Sequence, residues 1–333
     1  MKEYTITANE ANQRLDKYLK KLLPGAPAGF LYKMLRKKNI VCNGAKAAGG
    51  ELLQRGDRVK LFLSDDTILK FSREDEALHA EYEALRKLPM KGLKIVYEDA
   101  DILAADKPYN MLSQKAAAHD LSANEYLLGY LIRGGALQPE GLRTFRPSVC
   151  NRLDRNTTGL ILMGKTLAGS QKLSEGFKER SIRKYYRAIV AGSVKEGEHL
   201  SGYLIKDERT NRVQVLEDER TGASRIETDY TPVTAGEGWT LLEVHLITGK
   251  THQIRAHLAA AGHPVIGDRK YGDAVYNKRF QQQYEVTHQL LHAYRLAFPD
   301  GRTLCAGMPP EFMRILPEHF AQEGTCPHGI HAV

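Results

Sequence analysis

The sequence is poor in the features that mark secreted, membrane and redox proteins. Its four cysteines (Cys42, Cys150, Cys305 and Cys326) lie far apart and form no C-x-x-C pair. In a chain without a secretion signal, this spacing predicts reduced thiols rather than a disulfide framework or a dithiol redox site. No apolar run approaches the roughly 18 residues that cross a bilayer. The opening residues, MKEYTITANE, do not have the layout of a signal peptide. We therefore expect a cytoplasmic protein with no membrane partner.

The positive charge of the chain is concentrated near its N-terminus. The formal net charge is +8, yet residues 14 to 61 alone hold 12 Lys or Arg against three Asp or Glu. Such a patch suits a polyanion, because each neutralised phosphate releases counterions. A solvated basic face without a partner is the alternative. A chain of 333 residues also has room for a second domain that could bury an active site.

The basic region has a recognisable order of predicted elements. Residues 14 to 23, RLDKYLKKLL, place apolar side chains at helical spacing and are followed by a Pro-Gly pair. Residues 30 to 40, FLYKMLRKKNI, predict a second helix with an apolar face and an almost wholly basic face. A short strand, an Asn-Gly turn and the closing strand RVKLFL follow. The pattern predicts a helix, a basic helix and a small hairpin.

This order, with the phrases RLDKYL, LRKKNIVCNG and RGDRVKLFL, resembles the small αL RNA-binding domain of the S-four type, first known from a small-subunit ribosomal protein. The resemblance covers about residues 12 to 64 and implies binding to folded RNA. The second helix would contact the RNA backbone through its basic residues, Lys33, Arg36, Lys37 and Lys38. We expect this domain to occupy residues 1–75 and a charged linker with a possible helix to occupy 76–92.

Beyond the linker the pattern becomes rich in strands. The segments LKIVYE, DILAADK, LILMG, KYYRAIVAG, RIETDYTPV and WTLLEVHLI predict strands, and helical stretches lie around 122–133, 166–180 and 252–261. Hairpins with few crossover helices favour a mainly antiparallel sheet. We therefore expect an α+β catalytic domain over residues 93–320, followed by a tail over 321–333.

The segment NRLDRNTTGLIL, residues 151 to 162, contains a candidate nucleophile. Asp154 lies in a polar loop between two arginines, directly before an apolar strand that could present it at the rim of a cleft. A structural salt bridge or a turn is the simpler interpretation of an Asp beside Arg.

The overlapping segment GLILMGKT, residues 159 to 166, formally fits the phosphate-binding P-loop. A P-loop needs a tight loop whose amides face the phosphates, whereas Leu-Ile-Leu-Met is an apolar strand sequence. No apolar strand precedes the first glycine either. We interpret the match as accidental and do not expect an NTPase.

Residues 241 to 257, LLEVHLITGKTHQIRAH, predict a strand, a turn and a helix that Thr251 could cap. His252 and His257 are five residues apart rather than the four that place two ligands on one helical face, which argues against a zinc site. The C-terminal sequence CPHGIH could bind metal adventitiously, but a solvated end is the simpler explanation. We expect no metal.

Four blocks in order carry a second resemblance. NRLDRNTTGLIL resembles the H-R-L-D-x-x-T-S-G-L-x-x signature of the RluA-type pseudouridine synthases, and YEDADILAADKP, IRKYYRAIVAG and LITGKTHQIRAHLAAAGHPVIGD are similar to three further blocks of that family. With the N-terminal domain, the arrangement is similar to the RluC and RluD types, which act on large-subunit ribosomal RNA. Together the resemblances cover nearly the whole chain to about residue 310.

The resemblance implies roles for residues in these blocks. Asp154 would be the nucleophile, Tyr186 would lie beside the target base, and Arg255 would pair with Asp154. Arg152 would enter the RNA where the flipped uridine leaves. Two positions depart from the family pattern, because Asn151 replaces the usual His and Lys250 replaces the usual Arg. We expect Asn151 to alter loop hydrogen bonding or substrate choice rather than to abolish activity.

The implied reaction is the isomerisation of uridine in structured RNA, with 23S-type ribosomal RNA as the expected partner. It consumes no redox equivalents, nucleotide or metal, so we expect no cofactor, and we expect a monomer. A carboxylate could act covalently or by abstracting a ribose proton, and the sequence leaves both open. The alternative from another class is a non-catalytic RNA-binding assembly factor that keeps the fold, with Asn151 as the one feature in its favour.

Overall fold

The computed structural model of the protein describes residues 1–72, 75–207, 209–210, 212–317 and 320. The first part, residues 1–72, is here called the N-terminal unit. Its elements are β1 (Lys2–Thr5), α1 (Leu15–Leu22), α2 (Ala28–Arg36), β2 (Ile40–Cys42), β3 (Ala45–Lys46), β4 (Arg58–Leu61) and α3 (Asp65–Phe71). The predicted two helices and hairpin are confirmed, whereas β1 and α3 were not predicted. The tail expected at 321–333 lies outside the described residues.

The N-terminal unit has its own hydrophobic core. Its strands form an antiparallel sheet in the order β1-β4-β2-β3. Leu15 and Leu19 of α1, Leu35 of α2 and Val59 of β4 are buried together, so the apolar faces of both helices pack against the sheet. The polar face of α2 is thereby left toward solvent.

The segment expected as a linker contains a helix that packs on the remainder of the chain. Helix α4 (Asp75–Arg86) buries Leu78 and Leu85 in the largest hydrophobic core, and Tyr82 Oη donates to the carbonyl of Leu137 at 3.3 Å. The N-terminal unit also contacts this part of the chain, because Thr144 Oγ1 donates to the buried carboxylate of Glu10 at 2.6 Å.

The remaining described residues form the C-terminal unit. Its elements are β5 (Lys94–Glu98), β6 (Ile102–Lys107), α5 (Ala123–Arg133), α6 (Pro139–Thr144), β7 (Ser148–Val149), β8 (Thr158–Gly164), α7 (Leu167–Lys178), β9 (Arg183–Ala191), β10 (Glu198–Asp207), β11 (Arg212–Leu216), β12 (Ser224–Gly236), β13 (Trp239–Leu246), α8 (Gln253–Ala260), α9 (Ala274–Tyr284), β14 (Leu291–Ala297), β15 (Thr303–Cys305) and α10 (Pro310–Met313). Every strand and helix predicted for this unit is present. The hairpin β10–β11, helix α9 and strand β14 were not predicted.

One large sheet organises the C-terminal unit. Its strands follow the order β11-β10-β12-β13-β9-β14-β8-β6-β5, with β15 beside β14 and β7 beside β8. The strand pairs are antiparallel except for β14 with β8, which run parallel. Helices flank the sheet, and hydrophobic cores lie on both of its faces. The protein is therefore α+β with a mainly antiparallel sheet, as expected.

Strand β8 lies deep in this sheet and anchors the loop that precedes it. Ile161 and Met163 face one core, whereas Leu160 and Leu162 face another, which explains why the segment reads as a continuous apolar run. Gly159, at φ +111°, lies where an added Cβ would be 2.3 Å from a carbonyl oxygen of β14, so only glycine fits this crossing. The first residues of β8, which follow the loop, are thus packed closely against β14.

The structure also describes the state of three cysteines and the lengths of the helices, on which the sequence analysis made predictions. Cys42 and Cys150 are free thiols, but Cys305 is disulfide-bonded, so the expectation of reduced thiols was wrong for that residue. No helix within the described ranges is long and apolar enough to span a membrane.

Candidate active site

The loop between β7 and β8 carries Asp154 and is fixed to β8 by Asn151. Asn151 Nδ2 donates to the carbonyl of Leu160 at 3.0 Å, and its Oδ1 accepts from the amide of Leu162 at 2.7 Å. The side-chain amide thus uses its donor and its acceptor together. A neutral histidine at this position also has one donor and one acceptor, but its two nitrogens lie on opposite edges of the ring and would need a different geometry. The unusual Asn is a structural clip for the loop.

A buried lysine holds the loop from behind. Lys107, at the end of β6, is fully buried, and its ammonium donates to three carbonyls, those of Met111 (2.9 Å), Pro108 (3.1 Å) and Arg155 (3.2 Å). Burial lowers its pKa to about 7, although the charge of Asp154 acts in the opposite direction. Its contact with the Arg155 carbonyl fixes the backbone immediately after Asp154.

Ser113 fixes the backbone on the other side of Asp154. Its Oγ donates to the carbonyl of Leu153 and accepts from the amide of the same residue, both at 2.9 Å. Sequence reasoning missed both Lys107 and Ser113. The signal available for Lys107 was a lysine at the end of the apolar strand DILAADK, where a charge is costly unless it is hydrogen-bonded.

Asp154, Arg255 and Asp268 form a chain of charges that runs from the lining of a cleft into the protein interior. Arg255, in the first turns of α8, donates from Nη1 to Asp154 Oδ2 at 2.8 Å. It also donates from Nε and Nη2 to the two oxygens of Asp268, at 2.6 and 2.8 Å. The paired bonds with Asp268 set the plane of the guanidinium and leave Nη1 directed at Asp154. The structure therefore brings together the Asp154–Arg255 pair that the resemblance implies.

Of the three charged residues Asp154, Arg255 and Asp268, only Asp268 was not identified in the sequence analysis. It is fully buried and also accepts from the amides of Lys270 (2.8 Å) and Tyr271 (3.2 Å). Burial opposes its charge, but Arg255 and these amides outweigh burial and lower the pKa of Asp268. Burial likewise opposes the charge of Arg255, and the two carboxylates outweigh it and raise the pKa of Arg255. Both groups stay ionised despite their burial.

Tyr186 forms a wall of the same cleft. It lies on β9 opposite Val244 of β13, and only 6% of its surface is exposed. Burial, and then the nearby charge of Asp154, raise the pKa of the phenol well above its usual range. Tyr186 therefore presents a neutral ring with a protonated hydroxyl at neutral pH.

The cleft has a volume of about 860 Å³ and a strongly basic lining. Among the described residues that line it, Asp154 is the only acid. The Lys and Arg side chains of the lining come from several loops and from β9, β12 and α8: Lys115, Arg152, Arg155, Arg180, Lys184, Arg225, Lys250 and Arg255. Arg152 is exposed on the rim, one residue from Leu153. Such a lining concentrates anions at the nucleophile.

The basic residues of the N-terminal unit do not line this cleft. Lys33, Arg36, Lys37 and Lys38 are all exposed on or directly after α2. Lys38 has a left-handed backbone, φ 59°, where the chain turns from the helix toward β2. They form a second basic surface, separate from the one around Asp154.

The residues of the P-loop match are engaged elsewhere. Their first six form the buried strand β8 rather than a loop. Lys165 Nζ donates to Glu98 Oε1 at 2.7 Å and to the carbonyl of Asp99 at 2.6 Å. Thr166 caps α7 by accepting from the amide of Gly169 at 3.0 Å. The interpretation of this match as accidental is confirmed.

The start of α8 differs from the expectation. The residue that precedes the helix is His252, in a left-handed conformation at φ 55°, and Thr251 does not cap it. Gln253 Oε1 instead accepts from Thr248 Oγ1 (2.8 Å) and from the amide of Lys250 (3.1 Å). The expected Thr251 cap was wrong because a side chain inside the helix satisfies the turn.

His252 lines the cleft beside Asp154 and contacts Tyr271. Its Nδ1 lies 3.0 Å from Tyr271 Oη, which accepts from the amide of Val213 at 2.9 Å. Burial lowers the pKa of His252, with Asp154 acting in the opposite direction. Among the described residues, no group of three or more His, Cys, Asp or Glu could hold a metal ion.

Comparisons with known proteins agree on one family. The family described as RNA pseudouridylate synthase matches residues 101–260. Ribosomal large subunit pseudouridine synthase C from Escherichia coli (strain K12) is 31% identical over 310 residues, which cover 90% of this chain and 88% of that protein. The protein of the same name from Pasteurella multocida (strain Pm70) is 30% identical over 328 residues, which cover 95% of this chain and 93% of that protein.

A solved structure supports the fold independently. Human RNA Pseudouridylate Synthase Domain Containing 4 superimposes with a TM-score of 0.54 at 21% identity, covering 74% of this chain and 97% of that one. At that identity the likeness concerns the fold alone. The sequence relationship, however, extends through the blocks that contain Asp154, Tyr186 and Arg255 and over nine-tenths of the chain. The chain belongs to the RNA pseudouridylate synthase family.

Proposed function

We propose that this protein isomerises specific uridines of large-subunit ribosomal RNA to pseudouridine, with Asp154 as the nucleophile. The observation that carries the proposal is the charge chain Asp154–Arg255–Asp268, which runs from the lining of a basic cleft into the protein interior. The substrate class is supported by relatives over nine-tenths of the chain that are named for the large ribosomal subunit.

The chemistry of isomerisation requires one carboxylate and no cofactor. The bond between C1′ of the ribose and N1 of uracil breaks, the base turns, and a bond between C1′ and C5 forms. N1 gains a proton and C5 loses one, so atoms and electrons balance without a redox partner. Asp154 begins this sequence either by attacking C1′ or by removing a ribose proton. Because Arg255 occupies Oδ2, the Oδ1 atom is the one free to react.

Tyr186 and Arg152 have different roles in the proposed reaction. The neutral, buried ring of Tyr186 stacks on the extruded base, and its protonated hydroxyl can orient that base by donating a hydrogen bond rather than by accepting the C5 proton. A uridine inside folded RNA must first leave its stack, which costs a few kcal/mol. Arg152, exposed on the rim, is placed to enter the vacated position and offset part of that cost.

The N-terminal unit supplies affinity for folded RNA in this proposal. Lys33, Arg36, Lys37 and Lys38 are exposed on α2 or directly after it and would contact phosphates rather than bases. We assign an S-four-type RNA-binding domain to residues 1–75, a connecting segment to 76–92 and the catalytic domain to 93–320. The proposed enzyme is a cytoplasmic monomer without a cofactor.

The competing function is an RNA-binding assembly factor that has lost turnover. Asn151 was the feature in its favour, but this residue clips the loop to β8 and leaves Asp154 paired with Arg255. A binding protein has no need of that geometry. The test is to incubate the protein with an RNA fragment of the large subunit and to locate pseudouridine by carbodiimide-dependent stops in primer extension. Stops at defined uridines support the enzyme, and stable binding without stops supports the assembly factor.

A further inference from the structure

Among the described residues that line the cleft, Lys184 is the cation that is partly buried and has no partner. It lies on β9, two residues before Tyr186 and on the same face of the strand. Within the part of the chain that the structure describes, its ammonium makes no hydrogen bond or ion pair. Arg180 and Arg225, by contrast, share the carboxylate of Glu227 at 3.8 and 2.8 Å.

The position of the ammonium is set by the turn before α8. A Cβ added at Gly249 would lie 3.1 Å from Lys184 Nζ, so the ammonium rests directly on that turn. The absence of a side chain at Gly249 is what leaves it room. Lys184 is thereby held against the turn before α8, in the cleft that Tyr186 and Arg255 also line.

Its electrostatic surroundings are unfavourable in the free protein. Burial, and then repulsion by Arg180, lower the pKa of Lys184 to about 8. No carboxylate contributes to that shift, and the charge of Asp154 is already taken up by Arg255. A partly buried, unpaired cation is costly, and an anion that arrives with the substrate would remove the cost.

The ligand that brings an anion to this place is the backbone of the bound RNA. The carbonyl and imide groups of uracil are neutral and cannot balance an ammonium, whereas each nucleotide carries a charged phosphodiester on either side. A lysine binds phosphate as a point charge and tolerates the variable backbone geometry of an extruded nucleotide.

We infer that Lys184 binds a single phosphodiester adjacent to the extruded uridine and so positions the nucleotide against Asp154 and Tyr186. This subsite rests on the proposed function and adds a defined contact to it. Lys184 is a positioning residue here, since it touches the substrate backbone and takes no part in bond making or breaking.

The first test compares variants of the full-length protein. Lys184→Met should weaken binding of a stem-loop substrate about tenfold, the loss of one charge-assisted contact. It should also lower the slope of log K against log salt by about 0.7–0.9. Lys278→Met, which removes an exposed lysine of α9 away from the cleft, is the matched control and should change neither quantity appreciably.

Two further measurements separate the subsite from a structural effect. Gly249→Ala keeps every charge and shifts the flexible ammonium by only a few tenths of an ångström, so it should weaken binding much less than Lys184→Met and leave thermal unfolding unchanged. Binding by the wild type should weaken as pH rises above 8, because phosphate favours the protonated lysine, and this dependence should be absent in Lys184→Met.

The decisive experiment removes one charge from the RNA backbone instead of from the protein. A methylphosphonate at one linkage beside the target uridine should weaken the wild type about tenfold and leave Lys184→Met unaffected. At limiting RNA the variant should form pseudouridine about tenfold more slowly than the wild type, because the lost affinity lowers kcat/KM. Equal sensitivity of both proteins to every linkage, or a fall in kcat with unchanged KM, would overturn the subsite. Absence of pseudouridine with the wild type would instead overturn the proposed function.

Discussion

Asp268→Asn isolates the contribution of the buried carboxylate behind Arg255. The substitution keeps the size of the side chain but removes its charge and turns one oxygen into a donor that faces the guanidinium. The side chains of Arg255 and Asp268 are 6% and 0% exposed, so water cannot replace the lost carboxylate. Removal of one partner from a buried pair costs about 3–5 kcal/mol.

The lower end of that range applies, because Asp154 continues to bind Arg255 at 2.8 Å and the Asn oxygen retains one bond. For a chain of 333 residues, about 3 kcal/mol corresponds to a fall of about 4 °C in Tm. A guanidinium that has lost its fixed plane also misplaces Asp154, and a displacement of about 1 Å costs on the order of 100-fold in rate. Thermal unfolding and single-turnover pseudouridine formation measure the two effects.

The control for this substitution is Asp300→Asn, which removes an exposed carboxylate that also forms two contacts with an arginine, Arg302. Surface pairs of this kind contribute about 0–1 kcal/mol, so its Tm should change by no more than about 1–2 °C. The lowered pKa of Asp268 means that its stabilisation is complete above the unfolded value near 3.8 and is lost as pH falls below it. In Asp268→Asn, the free energy of unfolding should therefore depend less on pH in the acidic range. A wild-type Tm and rate in Asp268→Asn would refute the reasoning.

Three other perturbations test separate parts of the account. Arg255→Lys keeps a positive charge but loses the planar guanidinium with its paired donors. Single-turnover rates should therefore fall by on the order of 100-fold while RNA affinity changes little. A loss of affinity alone would instead make Arg255 a phosphate contact. Replacement of Lys33, Arg36, Lys37 and Lys38 by Ala should lower the salt slope of RNA binding by up to about 3 units, as filter binding would show, and an unchanged slope would remove α2 from the interface. Lys165→Ala should leave pseudouridine formation intact, and titration calorimetry should detect no ATP binding in either protein.

The local structure around the site could be predicted from the sequence because it depends on local pattern. The apolar run of β8, the polar loop before it and the helix that begins at Gln253 are all visible as periodicity and turn residues. The pairing of Asp154 with Arg255, 101 residues later, could not be derived from spacing. It was available only through the resemblance to a family with the same ordered blocks.

The residues that sequence reasoning missed act through contacts with distant main chain or with each other. Lys107 binds a carbonyl 48 residues away, and Asp268 acts on Arg255, which no periodicity reveals. The cap at Thr251 failed for a related reason, since a cap contributes only about 1 kcal/mol and the side chain of Gln253 bonds within the same turn instead. Packing of α4 into the large core shows the same limit, because its charged composition masked two buried leucines.

The most direct test of the central assignment is pseudouridine formation by Asp154→Asn on an RNA stem-loop that the wild type modifies. Asn fits the same space and can still accept from Arg255 through its oxygen, so folding and RNA affinity should stay close to those of the wild type. Because an amide can neither attack C1′ nor take a ribose proton, no pseudouridine should form even at long incubation with saturating enzyme. Turnover by Asp154→Asn at the wild-type rate would contradict the account, whatever the other variants show.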